Sequence, residues 1–362
     1  MSSWLDDEGR GLRARLLAMA TGPMEQVDPS AVEALGCAVF AWQRGRNAVL
    51  DRVAAGALGD RHPSCLAEIP SVPTDVFKVA RVACFPEAAC VRVFETSGTT
   101  QDVHGRHEFA DLSLYAAAAV TAATRWLLPG SGYRCVLLAE PEEIAPTSSL
   151  SFMLARFAAR WHQGSTDPWV VRRAALDAVA VTETLTAACR DGVPVALLGT
   201  SFSFVHLLDA LRDRRWRLPP GSVAMPTGGF KGRSREIEPG VLRGMIGEAL
   251  GLTEADVPGE YGMTELSSQG YEARREGSAS YRVPPWVRVS MVDAATLREV
   301  PRGEVGLVRV VDLMNLGSAV AIQTSDLGRM DADGDGFVVL GRAPGATPRG
   351  CARAMDAALS GG

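Results

Sequence analysis

The chain has 362 residues, of which 47% are hydrophobic and 22% charged, a composition typical of a soluble globular protein with an ample core. The net charge of −5 argues against non-specific binding of nucleic acid, which needs a basic surface. No secretory signal or membrane span is predicted, and the seven scattered cysteines without CxxC spacing favour a reducing cytoplasm and give no zinc site.

The N-terminal part of the chain has a helical pattern. Apolar residues recur every three or four positions through residues 1–60, which predicts helices packed on a larger core. The stretch 69–78 is too rich in proline for a helix, so we expect it to run extended into a strand at 91–94.

Strands and helices alternate through the middle of the chain. The predicted strands are 135–139 and 195–198, and the predicted helices are 110–128, 149–161, 173–189, 204–211 and 243–250. This alternation predicts the α/β fold class, with helices on the faces of a sheet.

The pattern changes at residue 287 to short strands joined by turns. These strands are predicted at 287–292, 306–311, 319–322 and 336–340. We therefore expect four parts, namely a helical segment at 1–70, an α/β core at 71–285, a β-rich subdomain at 286–342 and a short tail at 343–362.

Two glycine-containing stretches carry donors suited to phosphate. Phe94–Thr100 follows a predicted strand and offers backbone N–H and hydroxyl donors, although an ordinary Ser/Thr/Gly turn has the same composition. In Gly228–Gly232, paired glycines allow a flat ligand to approach and Lys231 offers a point charge, or the stretch is a surface turn with a solvated lysine. The chain has no GxxxxGK[ST] P-loop.

Two further stretches combine acidic side chains with aromatic or hydroxyl groups. Gly259–Glu265 suits stacking on a base, bonding to phosphate and holding Mg²⁺, unless its acid is merely exposed at a strand end. Gln323–Arg329, followed by Gly341-Arg342, places a carboxylate where it can accept bonds from ribose hydroxyls. Asp331–Gly336 lacks the glutamate and flanking helices of a calcium EF-hand, so we interpret it as a hairpin turn.

The order of these stretches, TSGTT, YGMTE, TSDLGR and a downstream GR, resembles the motif series of the adenylate-forming (acyl-AMP) superfamily. Within that superfamily the chain is most similar to the LuxE-type acyl-protein synthetases, from about residue 70 to the end. The narrower resemblance rests on Pro73–Lys78, Ser148–Met153, Gly199–Phe202, Thr227–Gly232, Asp312–Leu316 and Gly341–Cys351.

The resemblance implies that ATP and a carboxylic acid react to give acyl-adenylate and pyrophosphate, after which a thiol takes the acyl group. It implies that the β- and γ-phosphates are held by Thr96, Ser97, Gly98, Thr99 and Thr100. It implies an adenine slot formed by Gly228, Gly229, Glu260, Tyr261 and Gly262, with Tyr261 stacked on the base. Thr264 is expected to bond the α-phosphate, Glu265 to hold Mg²⁺, and Asp326 to bind the ribose with Arg342 beside it.

The chain departs from this family pattern in three places. Only twenty residues follow Arg342, which is too few for the separate C-terminal lobe that carries a catalytic lysine in most adenylating enzymes. We therefore expect the missing cation to be Lys231, with Arg106 or His107 as alternatives. In addition, Gln101 replaces the usual glycine of the phosphate loop, and Ala343-Pro344 replaces the usual hinge acid.

Cys351 stands eleven residues before the end of the sequence, close to Arg349. The resemblance implies that this cysteine accepts the acyl group from acyl-AMP and passes it to a carrier protein, a reductase or coenzyme A. A neighbouring arginine favours the reactive thiolate. The alternative is an unreactive tail cysteine.

The resemblance places two apolar segments beside the acyl group. Their candidate lining residues, which suit either a fatty-acyl channel or an aryl slot, are Phe152, Met153, Ser201, Phe202 and His206. His206 has the alternative role of a core histidine. Two rival functions also stay open: an ATP-independent acyltransferase that takes its acyl group from a thioester such as acyl-CoA, and a non-catalytic nucleotide- or acyl-binding protein.

Overall fold

A computed structural model of the protein describes residues 4–96, 103–212, 214–228, 237–332, 334, 336–343, 355–356 and 358–359. The chain forms two compact units. Unit 1 comprises residues 1–119, 263–269 and 282–362, and unit 2 comprises residues 120–262 and 270–281. The N-terminal segment therefore belongs to the same unit as the C-terminal strands.

The fold is mixed α/β, as the sequence predicts. The α-helices are α1 (Asp7–Thr21), α2 (Pro29–Gln43), α3 (Ala48–Leu58), α4 (Ser113–Trp126), α5 (Ser149–Trp161), α6 (Ala178–Asp191), α7 (Ser201–Leu211) and α8 (Pro239–Leu250). Within the part of the chain that the structure describes, no helix is long and apolar enough to cross a membrane.

The strands are short except in the C-terminal part of the chain. They are β1 (Val72–Pro73), β2 (Arg92–Glu95), β3 (Arg106–Phe109), β4 (Arg134–Leu138), β5 (Val171–Arg172), β6 (Ala175–Leu176), β7 (Val195–Thr200), β8 (Val223–Thr227), β9 (Glu260–Tyr261), β10 (Gly270–Glu272), β11 (Tyr281–Arg282), β12 (Val287–Val292), β13 (Val305–Asp312), β14 (Ala321–Met330) and β15 (Phe337–Arg342).

The predicted N-terminal helices are confirmed, and each begins at a side chain that caps it. Asp6 accepts a bond from the backbone N–H of Gly9 at the start of α1, and Asp28 and Asn47 cap α2 and α3 in the same way. Such oxygens satisfy backbone donors that a helix leaves unpaired in its first turn.

In unit 1, the strands β12, β13, β14 and β15 pair in sequence as an antiparallel meander, and β1 pairs parallel with β14. All residues of β13 except Val305 are buried. Because Arg309 is one of them, its guanidinium needs partners, and it donates to the carbonyl oxygens of Leu66 and Ile69.

Two polar side chains join the N-terminal helices to the loop between β13 and β14. Gln43 donates to Asn315 O at 2.8 Å and accepts from Val320 N–H at 3.0 Å. Asn47 donates to Ser318 O at 3.0 Å while its other side-chain atom caps α3. These buried bonds explain why residues far apart in sequence form one unit.

In unit 2, β4, β7, β8 and β9 pair in parallel, and β10 runs antiparallel to β9. The strand β7 is buried along almost its whole length, as expected for a parallel strand covered on both faces. The core around it includes Val181 and Leu185 of α6, Phe204 of α7 and Ile246 of α8.

The structure corrects three predicted elements and confirms a fourth. The stretch 69–78 is not extended throughout, because Thr74–Lys78 forms a 3₁₀ helix after β1. Residues 173–177 are not helical, because β5 and β6 form a hairpin whose two turn residues, Arg173 and Ala174, have positive φ, and α6 begins only after Asp177. The strand predicted at 319–322 is the longer β14. Asp331 N–H donates to Gly336 O at 2.8 Å between β14 and β15, which confirms the hairpin turn.

A substitution at Gly199 tests the packing of the parallel sheet. A Cβ at this position would lie 2.5 Å from the backbone oxygen of Leu138 on β4, so we expect Gly199→Ala to lower the free energy of unfolding by about 1–3 kcal/mol. Gly11→Ala is the matched control, since a Cβ there meets nothing within 4 Å in α1, and it should stabilise the protein by about 0.5–1 kcal/mol. Urea unfolding monitored by circular dichroism measures both changes, and equal stability of the two variants would contradict the packing.

Candidate active site

The strand pair β2–β3 positions the stretch that begins at Thr96. Thr96 N–H donates to Gly105 O at 2.9 Å, and Gly105 N–H donates to Thr96 Oγ1 at 2.8 Å. The hydroxyl of Thr96 therefore closes the stem of the loop between the two strands. The other residues predicted to hold phosphate lie outside the described residues; they are Ser97, Gly98, Thr99 and Thr100, with Gln101 after them.

His107 on β3 supports the backbone of the YGMTE motif. Its Nδ1 lies 2.8 Å from Thr264 O, and because a carbonyl oxygen only accepts, Nδ1 carries the proton and donates. Burial lowers the pKa of His107 to about 4, so the imidazole is neutral at neutral pH and supplies no positive charge there. Arg106, the other alternative cation, is exposed on the same strand.

Thr264 and Glu265 lie in unit 1 next to β2. Thr264 Oγ1 donates to Glu95 O at 3.4 Å, and Glu265 is only 6% exposed. Burial raises the pKa of the Glu265 carboxyl to about 7, while the positive charges of Lys78 and Arg342 partly oppose this rise. The alternative interpretation of Glu265 as an exposed acid is therefore wrong.

Glu265 fits the role of a magnesium ligand that the resemblance implies. Its raised pKa means that the buried carboxylate lacks a sufficient counter-charge, which a divalent cation would supply. Mg²⁺ is usually held by one or two protein carboxylates together with substrate phosphates, so a single acid is sufficient. Within the described residues, no cluster of three or more acidic, histidine or cysteine ligands occurs.

A buried polar network holds the segment that follows Glu265. Asn315 Nδ2 donates to Glu265 O at 2.9 Å, and Ser267 Oγ donates to Asn315 Oδ1 at 2.6 Å. Asp312 accepts from Ser267 N–H and from Ser268 Oγ, each at 2.8 Å. In the sequence, Asp312–Leu316 supports the family resemblance, but that resemblance assigns no role to Asp312 or Asn315.

Asp326 and Arg342 meet across β14 and β15, as expected. They are paired in the strand register, with Arg342 Nε 3.8 Å from Asp326 Oδ1. The Arg342 side chain is 77% exposed and that of Asp326 is 19% exposed. At this distance and exposure the guanidinium remains accessible to a ligand.

In unit 2, Gly228 follows the end of β8, whereas Glu260 and Tyr261 form β9 and Gly262 follows it. Thr227 pairs with Glu260 in the strand register, and its hydroxyl donates to the Glu260 carboxyl. Burial raises the pKa of that carboxyl to about 7. The ring of Tyr261 lies 5.8 Å from that of Tyr281, and Gly262 is the last residue of this stretch within unit 2.

Glu272 on β10 fixes the start of the same motif, and sequence reasoning missed it. Its carboxylate accepts from Gly259 N–H at 2.7 Å, from Arg243 at 3.0 Å and from Arg274 at 2.6 Å. The Glu272 side chain is 9% exposed, so these partners compensate a charge that burial would otherwise penalise. Arg274 is a neighbour in the sequence, but no local pattern indicates the contacts with Arg243 on α8 and Gly259 before β9, because they depend on how separate elements pack.

Gly228 and the start of α7 lie together in unit 2. Ser201 Oγ donates to Gly228 O at 2.8 Å, and Gly228 has a φ of +67°, which favours glycine. One turn along α7, the rings of Phe202 and His206 are 4.4 Å apart. His206 is exposed, so its alternative role as a core histidine is wrong.

Phe152 and Met153, the other predicted acyl-lining residues, are buried on α5. The guanidinium of Arg156 lies 4.4 Å from the centroid of the Phe152 ring. The remaining predicted site residues, Gly229, Lys231 and Cys351, lie outside the described residues.

Comparison with protein families gives one match over most of the chain. The model of LuxE, an acyl-protein synthetase family, matches residues 62–360. A comparison with curated proteins found no match. The family match confirms the narrower of the two resemblances expected from the motifs.

The fold resembles solved structures of acyl-CoA ligases. For 2-hydroxyisobutyryl-CoA ligase with 2-HIB-AMP and CoA in the thioesterification state, the TM-score is 0.60 at 17% identity, over 89% of this chain and 69% of that chain. An open conformation of the same ligase has a TM-score of 0.57 at 16% identity, over 84% of this chain and 73% of that one. ATP-bound MatB from Rhodopseudomonas palustris has a TM-score of 0.49 at 16% identity over 70% of this chain, which spans 48% of MatB.

The burial of Glu265 predicts a pH dependence of stability. The pKa of Glu265 is about 7 in the folded protein and about 4.5 for an unperturbed carboxyl. The folded state therefore binds this proton more tightly than the unfolded state, which stabilises the fold at low pH. This stabilisation is lost as the pH rises from 4.5 through 7. Relative to Glu265→Gln, the wild type should therefore lose on the order of 3 kcal/mol in free energy of unfolding between pH 4.5 and 8 without metal.

Urea unfolding at several pH values measures this difference. The matched control is Glu254→Gln, because the Glu254 side chain is 83% exposed and its replacement should leave the pH profile unchanged. A constant difference between wild type and Glu265→Gln across the pH range would show that Glu265 is not the buried acid described here.

Proposed function

The chain belongs to the LuxE acyl-protein synthetase family, and from that premise we propose that it uses ATP to activate a carboxylic acid as acyl-AMP and then transfers the acyl group to a thiol. The observation that carries the proposal is the fixed Thr264-Glu265 segment. A threonine hydroxyl and a buried carboxylate belong to adjacent residues there, whose backbone carbonyl oxygens accept from His107 and Asn315.

In the first half-reaction, a carboxylate oxygen of the acid bonds to the α-phosphorus of ATP. The bond from that phosphorus to the bridging oxygen of the β-phosphate breaks, and pyrophosphate leaves. Both reactants are negatively charged, so the site must offset their repulsion. Bound Mg²⁺, held by Glu265, would neutralise part of the phosphate charge.

The described residues hold the nucleotide in this scheme. Thr264 donates its hydroxyl to the α-phosphate, and Asp326 accepts from the ribose hydroxyls with Arg342 beside it. Tyr261 stacks on the adenine, and Gly228 lets the ring approach the backbone closely. The neutral imidazole of His107 positions Thr264 rather than supplying charge.

In the second half-reaction, a thiolate sulfur bonds to the acyl carbon and the bond to the AMP oxygen breaks. We assign this thiolate to Cys351, with Arg349 favouring its ionised form. A second thiol or hydroxyl then receives the acyl group, on a carrier protein, a reductase or coenzyme A. The acid in this scheme is fatty or aromatic, and Phe202, whose ring lies 4.4 Å from that of His206 on α7, is a candidate to contact its acyl group.

ATP–pyrophosphate exchange tests the first half-reaction. With Mg²⁺ and a panel of fatty, benzoic and amino acids, we expect exchange that depends on the acid. Thr264→Val should lower the exchange rate about 10²-fold because it removes a donor to the developing charge. Glu254→Gln serves as the control with unchanged rate, and an ATP-independent acyltransferase would show no exchange with any acid.

A labelled acid tests the role of Cys351. The wild type, incubated with ATP, Mg²⁺ and the acid found above, should form a protein adduct that hydroxylamine cleaves. Cys351→Ala should lose the adduct and retain exchange, because acyl-AMP formation does not need the thiol. Cys189→Ala is the control, since Cys189 is exposed. Full adduct formation in Cys351→Ala would contradict the assignment.

A further inference from the structure

The chain uses lysine at only two positions. Of its 37 lysine and arginine residues, Lys78 and Lys231 are the two lysines. An ammonium is a compact, strongly hydrated point charge with rotatable donors, whereas a guanidinium is a planar fork, so the two are not interchangeable at a site. Lys78 lies within the described residues, and the mechanism above gives it no role.

Lys78 is held rigidly at its backbone while its side chain reaches solvent. It ends the 3₁₀ helix Thr74–Lys78, whose Val76 and Phe77 are buried in unit 1. The ring of Phe77 lies 5.6 Å from that of His107, the residue that holds Thr264. The Lys78 side chain is 45% exposed, so its ammonium stays available to a ligand.

Lys78 lies close to Thr96, the first of the residues expected to hold the β- and γ-phosphates of ATP. A Cβ built on Gly105 would lie 3.1 Å from Thr96 Cγ2 and 3.6 Å from Lys78 Cγ, so the lysine stem and Thr96 border the same small space. Thr96 begins the loop that would hold the β- and γ-phosphates.

The ion pair that Lys78 forms contributes too little stability to explain why a lysine occupies this position. Its Nζ lies 2.7 Å from Asp75 Oδ1, an exposed pair three residues apart that contributes at most about 1 kcal/mol and that arginine would also form. Two other cations of unit 1 have acidic partners of their own. Arg81 is paired with Glu108 at 2.7 Å, and Arg342 lies beside Asp326.

We propose that Lys78 is a catalytic residue that binds the β- and γ-phosphates of ATP and stabilises the departing pyrophosphate, an inference that rests on the proposed function. When the bond between the α-phosphorus and the bridging oxygen breaks, the electron pair stays on that oxygen and negative charge grows on pyrophosphate. The Lys78 ammonium offsets this charge and transfers no proton. In the resting protein the ammonium is paired with Asp75, and the lysine stem lies close to Thr96.

Lysine-directed labelling tests the contact directly, because the chain offers only two lysine side chains to the reagent. The protein is acetylated with N-hydroxysuccinimidyl acetate, and modification of each lysine is followed by mass spectrometry. We expect ATP or pyrophosphate with Mg²⁺ to protect Lys78, and AMP to leave its rate unchanged. Protection of Lys231 alone, or equal protection of Lys78 by AMP, would overturn the inference.

Kinetics of variants test the catalytic role. Lys78→Met keeps the apolar stem and should lower kcat/KM for ATP in the exchange assay about 10²-fold, with weaker ATP binding but unchanged AMP binding. Lys78→Arg should recover part of the rate, and Glu254→Gln, whose side chain is 83% exposed, should leave the rate unchanged. A structural role for Lys78 would instead weaken ATP and AMP binding alike.

The outcomes separate this inference from the proposed function. A wild type that binds no ATP and shows no exchange with any acid would overturn both. A wild type that exchanges, with Lys78→Met exchanging at the same rate, would overturn only the role of Lys78.

Discussion

A single buried carboxylate, that of Asp312, organises the segment on which the candidate site depends. It accepts bonds from the backbone of Ser267 and from the Ser268 hydroxyl, and Ser268 in turn accepts from the Trp286 indole at 3.1 Å. Burial raises the pKa of Asp312, while these donors lower it. A charge in such surroundings is tolerated only while all its donors stay in place, so the backbone that follows Glu265 has little freedom to move.

The two acids of the YGMTE region share one property. Glu260 in unit 2 and Glu265 in unit 1 are both buried enough to raise their pKa to about 7. Neither is compensated by a direct ion pair within the described residues, in contrast to Glu272, which has two arginine partners. A raised pKa in a buried acid without an ion-pair partner is typical of functional residues, whereas the two ion pairs of Glu272 are typical of a structural role.

Three basic residues of unit 1 differ in how far they are buried and in how tightly they are paired. Arg342 is bound loosely to Asp326, and Lys78 is bound to Asp75, whereas His107 is buried and neutral. Flexible exposed ammonium and guanidinium groups can turn towards a triphosphate, but a buried imidazole cannot be charged without a cost in desolvation. The degree of burial therefore separates Arg342 and Lys78, which can offer charge to a ligand, from His107, which can only support the backbone.

The sequence by itself determined the fold class, the order of the motifs and the family, because these features reside in contiguous residues and in short-range periodicity. It also placed Arg342 beside Asp326 and predicted the hairpin between their strands. Tertiary structure alone decided that Glu265 is buried, that Asn315 and Glu272 hold the motif, and that the Lys78 stem lies close to Thr96. Each of these contacts joins residues from separate elements, and its existence depends on strand register and helix packing that no local pattern encodes.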